Sequence, residues 1–363
     1  MKRKTAALYN PYLDSLGGGE KHILSILKVL EEEGFQINIF WDQNLTTAIK
    51  NRLDLSFSSL KFLPNIFQGS SVEMLNKLSI LKQFDVFFYV TDGSYFFSSA
   101  KKNYVFCMVP DRKLYPKNIF SRLKTINYDF ITNSRFTGHW LKQWGIKNQV
   151  IYPRVDDVFL ENSNIKKENI ILSVGRFFPQ LHSKKQDVLI DTFIKLINQN
   201  KNFSDWKLIL TGGLKPEDNN YFDNLKKTTN KYSQISLRPN VSFQELVSSY
   251  RKAKIFWHFT GYDIDEKQHP EITEHLGIAP LEAMATGAIT FCVNAGGPKE
   301  IIKDGISGFL FQNQTEIIEK TAKIINNKKQ QEDIVKNAQQ FVRDNFSKAV
   351  FKNNVIENIA RHI

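Results

Sequence analysis

Residues 5–40, TAALYNPYLDSLGGGEKHILSILKVLEEEGFQINIF, decide the fold class. Residues 5–9 are a short apolar run, and residues 10–19 are rich in turn formers. Ile23, Leu24, Ile26, Leu27 and Leu30 then recur at helical spacing, Gly34 supplies a stop, and residues 35–40 alternate as a strand does. Strand, loop, helix and strand in this order predict a βαβ unit, whose crossover makes its two strands parallel. Further apolar runs at 86–90, 104–109 and 130–132 extend a mostly parallel sheet.

The same grammar restarts after Tyr152-Pro153. Residues 170–174, 207–211, 255–259 and 288–293 read as strands, and 188–198 and 243–253 read as helices. At 363 residues the chain is longer than one compact core usually supports. It is therefore expected to form two doubly wound, Rossmann-like α/β domains, over 1–153 and 154–335. A polar helical tail over 336–363 should pack on them, because apolar residues such as Ile317, Ile318 and Ile324 lead into it at helical spacing. In such sheets ligands sit beyond the carboxyl ends of the strands.

Composition narrows the function classes. Hydrophobic residues at 42% and charged residues at 24% suit a globular chain and exclude general disorder. The 29 Phe are assigned to packing. Cys107 and Cys292 sit in apolar runs without partners at metal-ligand spacing, so both should be buried and free. The basic start is too short for a signal peptide, and no run approaches the ~20 apolar residues needed to span a bilayer, which points to a cytoplasmic protein. Net charge is +12, mainly N-terminal, with 20 Lys/Arg against 12 Asp/Glu in residues 1–150. Arg112, Lys113, Lys117, Arg122 and Lys124 are interleaved with Leu114, Ile119, Phe120 and Leu123. This segment reads as a peripheral contact with anionic lipid or as a solvated basic face. No module that interleaves basic charge with exposed aromatics for nucleic acid is present.

Possible chemistry concentrates at strand-to-helix turns. Glu274 and Glu282 bracket a stretch in which Pro280 should open a helix and Gly287 close it, placing Glu282 in the first turn and Glu274 in the loop before it. Free backbone N–H groups at that helix start would then face an anionic ligand such as a phosphorylated sugar; alternatively, Glu282 only complements the helix dipole and Glu274 is a solvated loop charge. Arg176 ends a strand, and the loop after it carries His182, Lys184 and Lys185, cations able to neutralise a diphosphate or simply to sit at the surface. Gly18 and Gly19, within Gly17-Gly18-Gly19-Glu20, and Gly296-Gly297 before Pro298 make two more turns of this kind, although neither has the spacing of a dinucleotide fingerprint or a P-loop. His258 lies on the same predicted edge without a partner that would make a triad or metal site.

Glu274 to Glu282 resembles the Glu-x7-Glu motif of retaining GT-B glycosyltransferases, and its surroundings resemble glycosyltransferase family 4. The likeness takes in Gly17 to Glu20, Asn133-Ser134, Ser173 to Arg176 with Lys184, Leu210 to Gly213, and Gly296-Gly297 through Gly308. Asn10-Pro-Tyr, Glu-His-Leu-Gly-Ile and Asn-Ala-Gly-Gly-Pro-Lys are similar to the dolichol-pathway α-1,2-mannosyltransferases. The resemblance implies two domains facing a central cleft, and transfer of a hexose from GDP-mannose or a UDP sugar to a glycan or lipid-linked acceptor, with no metal or other cofactor. It implies catalytic roles for Arg176 and Lys184, on the diphosphate, and for Glu274, on the transferred sugar. Glu282 would meet the ribose, the Gly18-Gly19, 277–279 and Gly296-Gly297 backbones would line the donor site, and Lys185 is the substitute for Lys184 if the loop is shifted. Acceptor recognition would fall to residues 12–16 and 112–124. The chain departs from the family where a His before Pro is common, since Phe106-Cys-Met-Val-Pro-Asp111 stands there; Asp92 and Asp111 are candidates near that place. Two other readings compete: a glycoside hydrolase using both glutamates, and a non-catalytic nucleotide-sugar-binding subunit.

Overall fold

A computed structural model describes residues 3–68, 73–161, 165–180 and 183–363. The first sheet holds β1 (Thr5–Tyr9), β2 (Gln36–Phe40), β3 (Leu60–Leu63), β4 (Val86–Val90), β5 (Lys102–Cys107), β6 (Tyr128–Thr132) and β7 (Asn148–Val150), in the order β3-β2-β1-β4-β5-β6-β7. Every pairing is parallel. The second sheet holds β8 (Glu168–Val174), β9 (Lys207–Gly212), β10 (Ile235–Pro239), β11 (Ala253–His258), β12 (Ile289–Val293) and β13 (Phe309–Phe311), in the order β10-β9-β8-β11-β12-β13. It too is entirely parallel.

Helices cover both faces of such sheets, so central strands are apolar throughout rather than alternating. β4 (VFFYV) and β12 (ITFCV) are buried at every position for this reason. The helix Gly18–Glu32 carries Ile23, Leu24, Ile26, Leu27 and Leu30 fully buried against the first sheet. Each such side chain contributes roughly 1.5–3 kcal/mol relative to exposure. Cys107 and Cys292 are free and buried.

The strand order reverses between β1 and β4 in one sheet and between β8 and β11 in the other. In open parallel sheets the flanking loops diverge at such switch points, and ligands bind in the crevice beyond the strand ends.

One unit ends at Arg154 and takes up Ala349–Ile363; the other is Val155–Lys348. The boundary thus falls one residue beyond Pro153, and residues 336–363 do not form one tail. The helix Lys328–Phe346 stays in the second unit, burying Ile334, Ala338, Val342 and Phe346. After Ser347 leaves helical geometry, the helix Lys348–Asn358 places Phe351 and Val355 in the first unit's core. Two short apolar faces separated by a break serve two cores.

Candidate functional site

The second unit's switch point assembles most of the charged candidates. β8 delivers Gly175 and Arg176, and the backbone continues pairing with β9: the Gly175 N–H donates to Thr211 O at 2.9 Å and the Phe177 N–H to Gly213 O at 2.9 Å. Lys184 crosses directly over Gly175, where a Cβ would stand 2.5 Å from the Lys184 Cγ. Glycine at 175 therefore makes room for the lysine stem. Beyond it, Lys184 Nζ lies 2.9 Å from Glu274 Oε2, and His258 Nε2, at the end of β11, lies 2.7 Å from the same oxygen.

Burial alone would raise the Glu274 carboxyl pKa, but the Lys184 charge and the His258 hydrogen bond hold it well below the usual carboxylate range. His258 is buried, and burial lowers its pKa despite the opposing pull of Glu274. Ionised Glu274 can only accept, so the neutral imidazole donates from Nε2. Both bonds end on Oε2. Oε1 is the oxygen without a protein partner among the described residues, and the side chain is still 17% exposed.

The glycines at 296 and 297 hold this carboxylate's backbone in place. The Gly297 N–H donates to Glu274 O at 2.8 Å, and a Cβ there would come within 2.2 Å of His275 O. Gly296 has φ +69°, and a Cβ would come within 2.2 Å of Glu274 O. Its N–H donates to Glu266 Oε2 at 2.6 Å, and Glu266 also pairs with Lys299. Both amides are engaged by the chain itself, so the contribution of these glycines is close packing of the 274–276 strap.

The helix after the strap runs over Ile278–Ala285, two residues earlier than Pro280 suggested, with Gly277 as N-cap at φ +102°. Proline is tolerated at this third position because the first turn's N–H groups have no intrahelical acceptor anyway. The N–H groups of Ile278 and Ala279 thus lie at the positive helix end. Glu282 falls beyond the first turn, which contains no acidic residue. Its charge reaches inward instead: burial, and then Glu282, push the Tyr250 phenol well above its ordinary pKa. The helix does end as expected, with Gly287 at φ +78°.

Arg176 is exposed, its guanidinium 4.5 Å from the Phe178 ring centroid. Gln186, buried and missed from the sequence, fixes the arginine's backbone: its Nε2 donates to Arg176 O at 2.8 Å, and its Oε1 accepts from the Tyr221 hydroxyl at 3.0 Å. Lys185 is the N-cap of the helix Gln186–Gln199 at φ +49°. Lys184, not Lys185, therefore pairs with Glu274. His182 lies outside the described residues. In the sequence His258 is an isolated histidine whose sole signal is its place at a strand end.

The first unit treats its glycine turn differently. The helix starting at Gly18 is closed by its own Glu20, whose Oε2 accepts from the Gly17 N–H at 2.9 Å and the Ser15 hydroxyl at 2.7 Å. A Cβ on Gly19 would stand 2.2 Å from Met108 Sδ. Asp92 is bound by the Tyr89 hydroxyl and by Ser94, and Asp111 caps the turn Arg112–Leu114 by accepting from the Lys113 N–H at 2.8 Å. Asn133 donates to Met108 O at 3.1 Å, and Ser134 caps the helix Arg135–Gln143. Each of these carboxylates serves a local turn. Among the described residues, no group of three or more His, Cys, Asp or Glu is placed to hold a metal ion.

Two parallel Rossmann-like domains, one carrying a lysine-paired glutamate at its switch point, define a GT-B chain. Solved structures share this fold: a glycosyltransferase from Rickettsia africae superposes with a TM-score of 0.73 over 98% of each chain at 16% identity. An Anabaena protein in complex with UDP and glucose gives 0.70 over 99% of each chain at 14% identity. The family description "Glycosyl transferases group 1" matches residues 156–341, and the chain belongs to that family.

Among sequence relatives, the GDP-Man:Man(3)GlcNAc(2)-PP-Dol alpha-1,2-mannosyltransferase of Dictyostelium discoideum is 27% identical over 68% of this chain and 50% of its own length. The human protein of that name is 29% identical over 54% of this chain and 40% of its own length. The matches thus span half or less of these relatives. An uncharacterised glycosyltransferase of Methanocaldococcus jannaschii aligns more fully, at 26% identity over 94% of this chain and 93% of that one.

Proposed function

We propose that the protein transfers a hexose from a nucleotide diphosphate sugar to a glycan or lipid-linked acceptor with retention of anomeric configuration. The observation that carries this reading is the Glu274 carboxylate, held ionised by Lys184 and His258 with Oε1 turned to no protein donor among the described residues. Oε1 would accept hydrogen bonds from hydroxyls of the transferred sugar. The ammonium of Lys184 has three donors and gives only one to Glu274, so the others can meet the diphosphate, with Arg176 adding its fork. Ile278 and Ala279 N–H groups would meet phosphate oxygens at the helix end.

In the step itself, the bond from the anomeric carbon to the phosphate oxygen breaks and the electron pair leaves with the nucleotide. The acceptor oxygen bonds to the same face of the sugar, and its proton passes to the departing phosphate. Lys184 and Arg176 stabilise the charge that develops there. No separate protein base is required, which accommodates Met108 and Val109 before Pro110. Glu282 is retained as a ribose contact, now reached from the second turn of its helix.

GDP-mannose is the preferred donor, on the names of the relatives, and a UDP sugar is the alternative, on the UDP-bound neighbour. A lipid-linked acceptor suits action at the cytoplasmic face of a membrane. In a hydrolase using both glutamates the lowered pKa of Glu274 would leave it only the nucleophile's role and make Glu282 the general acid. A panel of nucleotide sugars scored for nucleotide release and product anomer tests the reading. Inert GDP-mannose beside a productive UDP sugar would remove the mannosyl assignment. Nucleotide binding without release from any donor, with or without acceptors, would leave a non-catalytic binding subunit.

A further inference from the structure

The helix Ile119–Lys124 and the turn after it form an apolar face that no described residue of the chain covers. Ile119 is 79% exposed, Phe120 62% and Ile126 82%, and no residue of the helix is buried. The helix is ordered by its cap, Asn118 accepting from the Ser121 N–H at 2.8 Å, rather than by packing. A chain with two well-filled cores has no reason of its own to leave such a cluster in water. A second exposed pair, Met74 and Leu75, opens the helix Met74–Leu81. It belongs to the same neighbourhood: Leu78 O accepts from the Ser99 hydroxyl, and Ser98 O accepts from Asn127, the residue after Ile126.

Charge identifies the occupant. From residue 112 to 128 there are five Lys/Arg and no Asp or Glu. Arg112 is engaged internally, donating to Tyr115 O and Pro116 O and stacking on Trp144, and Lys124 lies 4.7 Å from the Phe120 ring centroid. Lys113, Lys117 and Arg122 are exposed around the apolar cluster. Apolar side chains ringed by cations of one sign match a plane that is negative at its surface and hydrocarbon beneath it. The six-residue helix is only about 9 Å long, so its insertion is shallow. Among the described residues, no helix is long and apolar enough to cross a membrane.

We infer that this face docks on an anionic lipid bilayer, with Ile119, Phe120, Leu123 and Ile126 entering the headgroup boundary and Lys113, Lys117 and Arg122 meeting acidic headgroups. The inference goes beyond the transfer reading and stands without it. Its test is co-sedimentation of the full chain with phosphatidylcholine vesicles, with and without phosphatidylglycerol, in the absence of donor and acceptor. The expected result is binding to the anionic vesicles only, weakening as salt rises. Phe120→Ser with Ile126→Ser should lower the partition coefficient at least about tenfold at an unchanged unfolding temperature. Lys117→Gln and Arg122→Gln should each lower it about fivefold.

Wild-type protein that stays in the supernatant with both vesicles overturns the inference, as does equal binding by the apolar double variant. A dimer in sedimentation velocity that Phe120→Ser dissociates would assign the face to a second copy instead. Stabilisation by nucleotide sugars, which the donor reading expects of the second unit, is read separately and should be the same in every variant. Failure of docking and failure of the donor reading are therefore distinguishable.

Discussion

Two glycine turns that look alike in sequence are built for different work. At Gly17-Gly18-Gly19-Glu20 the helix start is closed by its own carboxylate, and Gly19 rests against a flexible thioether. At Gly296-Gly297 the glycines let one backbone segment lie against another, and what they hold in place is Glu274. At Gly296-Gly297 both amides are engaged by the chain itself, whereas at the first turn Glu20 takes only one glycine amide, the Gly17 N–H. The charges available to a ligand sit on side chains that reach in from elsewhere, Lys184 over Gly175 and Arg176 beside it. A glycine at a strand end shows that something comes close; the partner shows whether that something is ligand or protein.

The largest expected effect that tests this contrast comes from Lys184→Met, which should lower kcat/KM by about 10²–10³-fold. It also removes the leading charge that depresses the Glu274 pKa. Because that pKa is lowered in the folded state, its stabilising contribution is complete above the unfolded value of 4.5 and is lost as pH falls through the folded value. The stability gap between wild type and Lys184→Met should therefore be full at neutral pH and close in acid below pH 4.5, by thermal unfolding across pH. An unchanged gap at low pH would mean that the lysine acts by packing.

Gly297→Ala should come next, destabilising the second unit by about 1–3 kcal/mol, because the new methyl meets His275 O, a backbone atom that cannot swing away. Gly19→Ala faces an equally short contact, yet Met108 can rotate aside, so the cost should stay below about 1 kcal/mol. Similar losses in paired denaturant titrations would erase the distinction between the turns. Gly175→Ala should preserve stability better than it preserves turnover, since it displaces the Lys184 stem; a kcat loss of about tenfold with an intact fold is expected from steady-state assays. The smallest effect is reserved for Glu20→Ala, which should cost about 1 kcal/mol of stability through the lost cap and leave KM for the donor within about twofold.

Legibility followed burial. The inner strands β1, β2, β4, β5, β6, β8, β9, β11 and β12 were readable because helices cover both faces and most of them carry an apolar run, while β2, with Gln36 and Asn38, shows alternation. The strands that escaped, β3, β7, β10 and β13, are the outer edges of the two sheets. They are short or part-exposed, and sequences such as Asn148-Gln-Val150 carry no apolar run to recognise. In the site, Arg176, Lys184 and Glu274 were legible from residue type and loop position. The role of His258 was not, because a buried imidazole becomes informative only when the carboxylate sixteen residues later folds back onto it. Pro280 gave the helix start two residues late because proline is as acceptable in the third position as in the first. The division of residues 336–363 between two cores escaped because periodicity shows that a helix has an apolar face, not which core receives it.

That division has a consequence for biogenesis. As the chain leaves the ribosome, the second unit has all its residues once Lys348 has emerged. The first unit, begun earlier, still lacks Phe351, Val355 and Ile359, which share its core with Leu24 and Leu27; the Phe351 ring lies tilted 5.9 Å from that of His22. Of the two units, the one whose synthesis starts earlier is thus completed later, and until then it exposes an apolar gap to chaperones and to its neighbours on the polysome. Loss of the final helix would be felt not where the chain ends in sequence but at the opening βαβ unit.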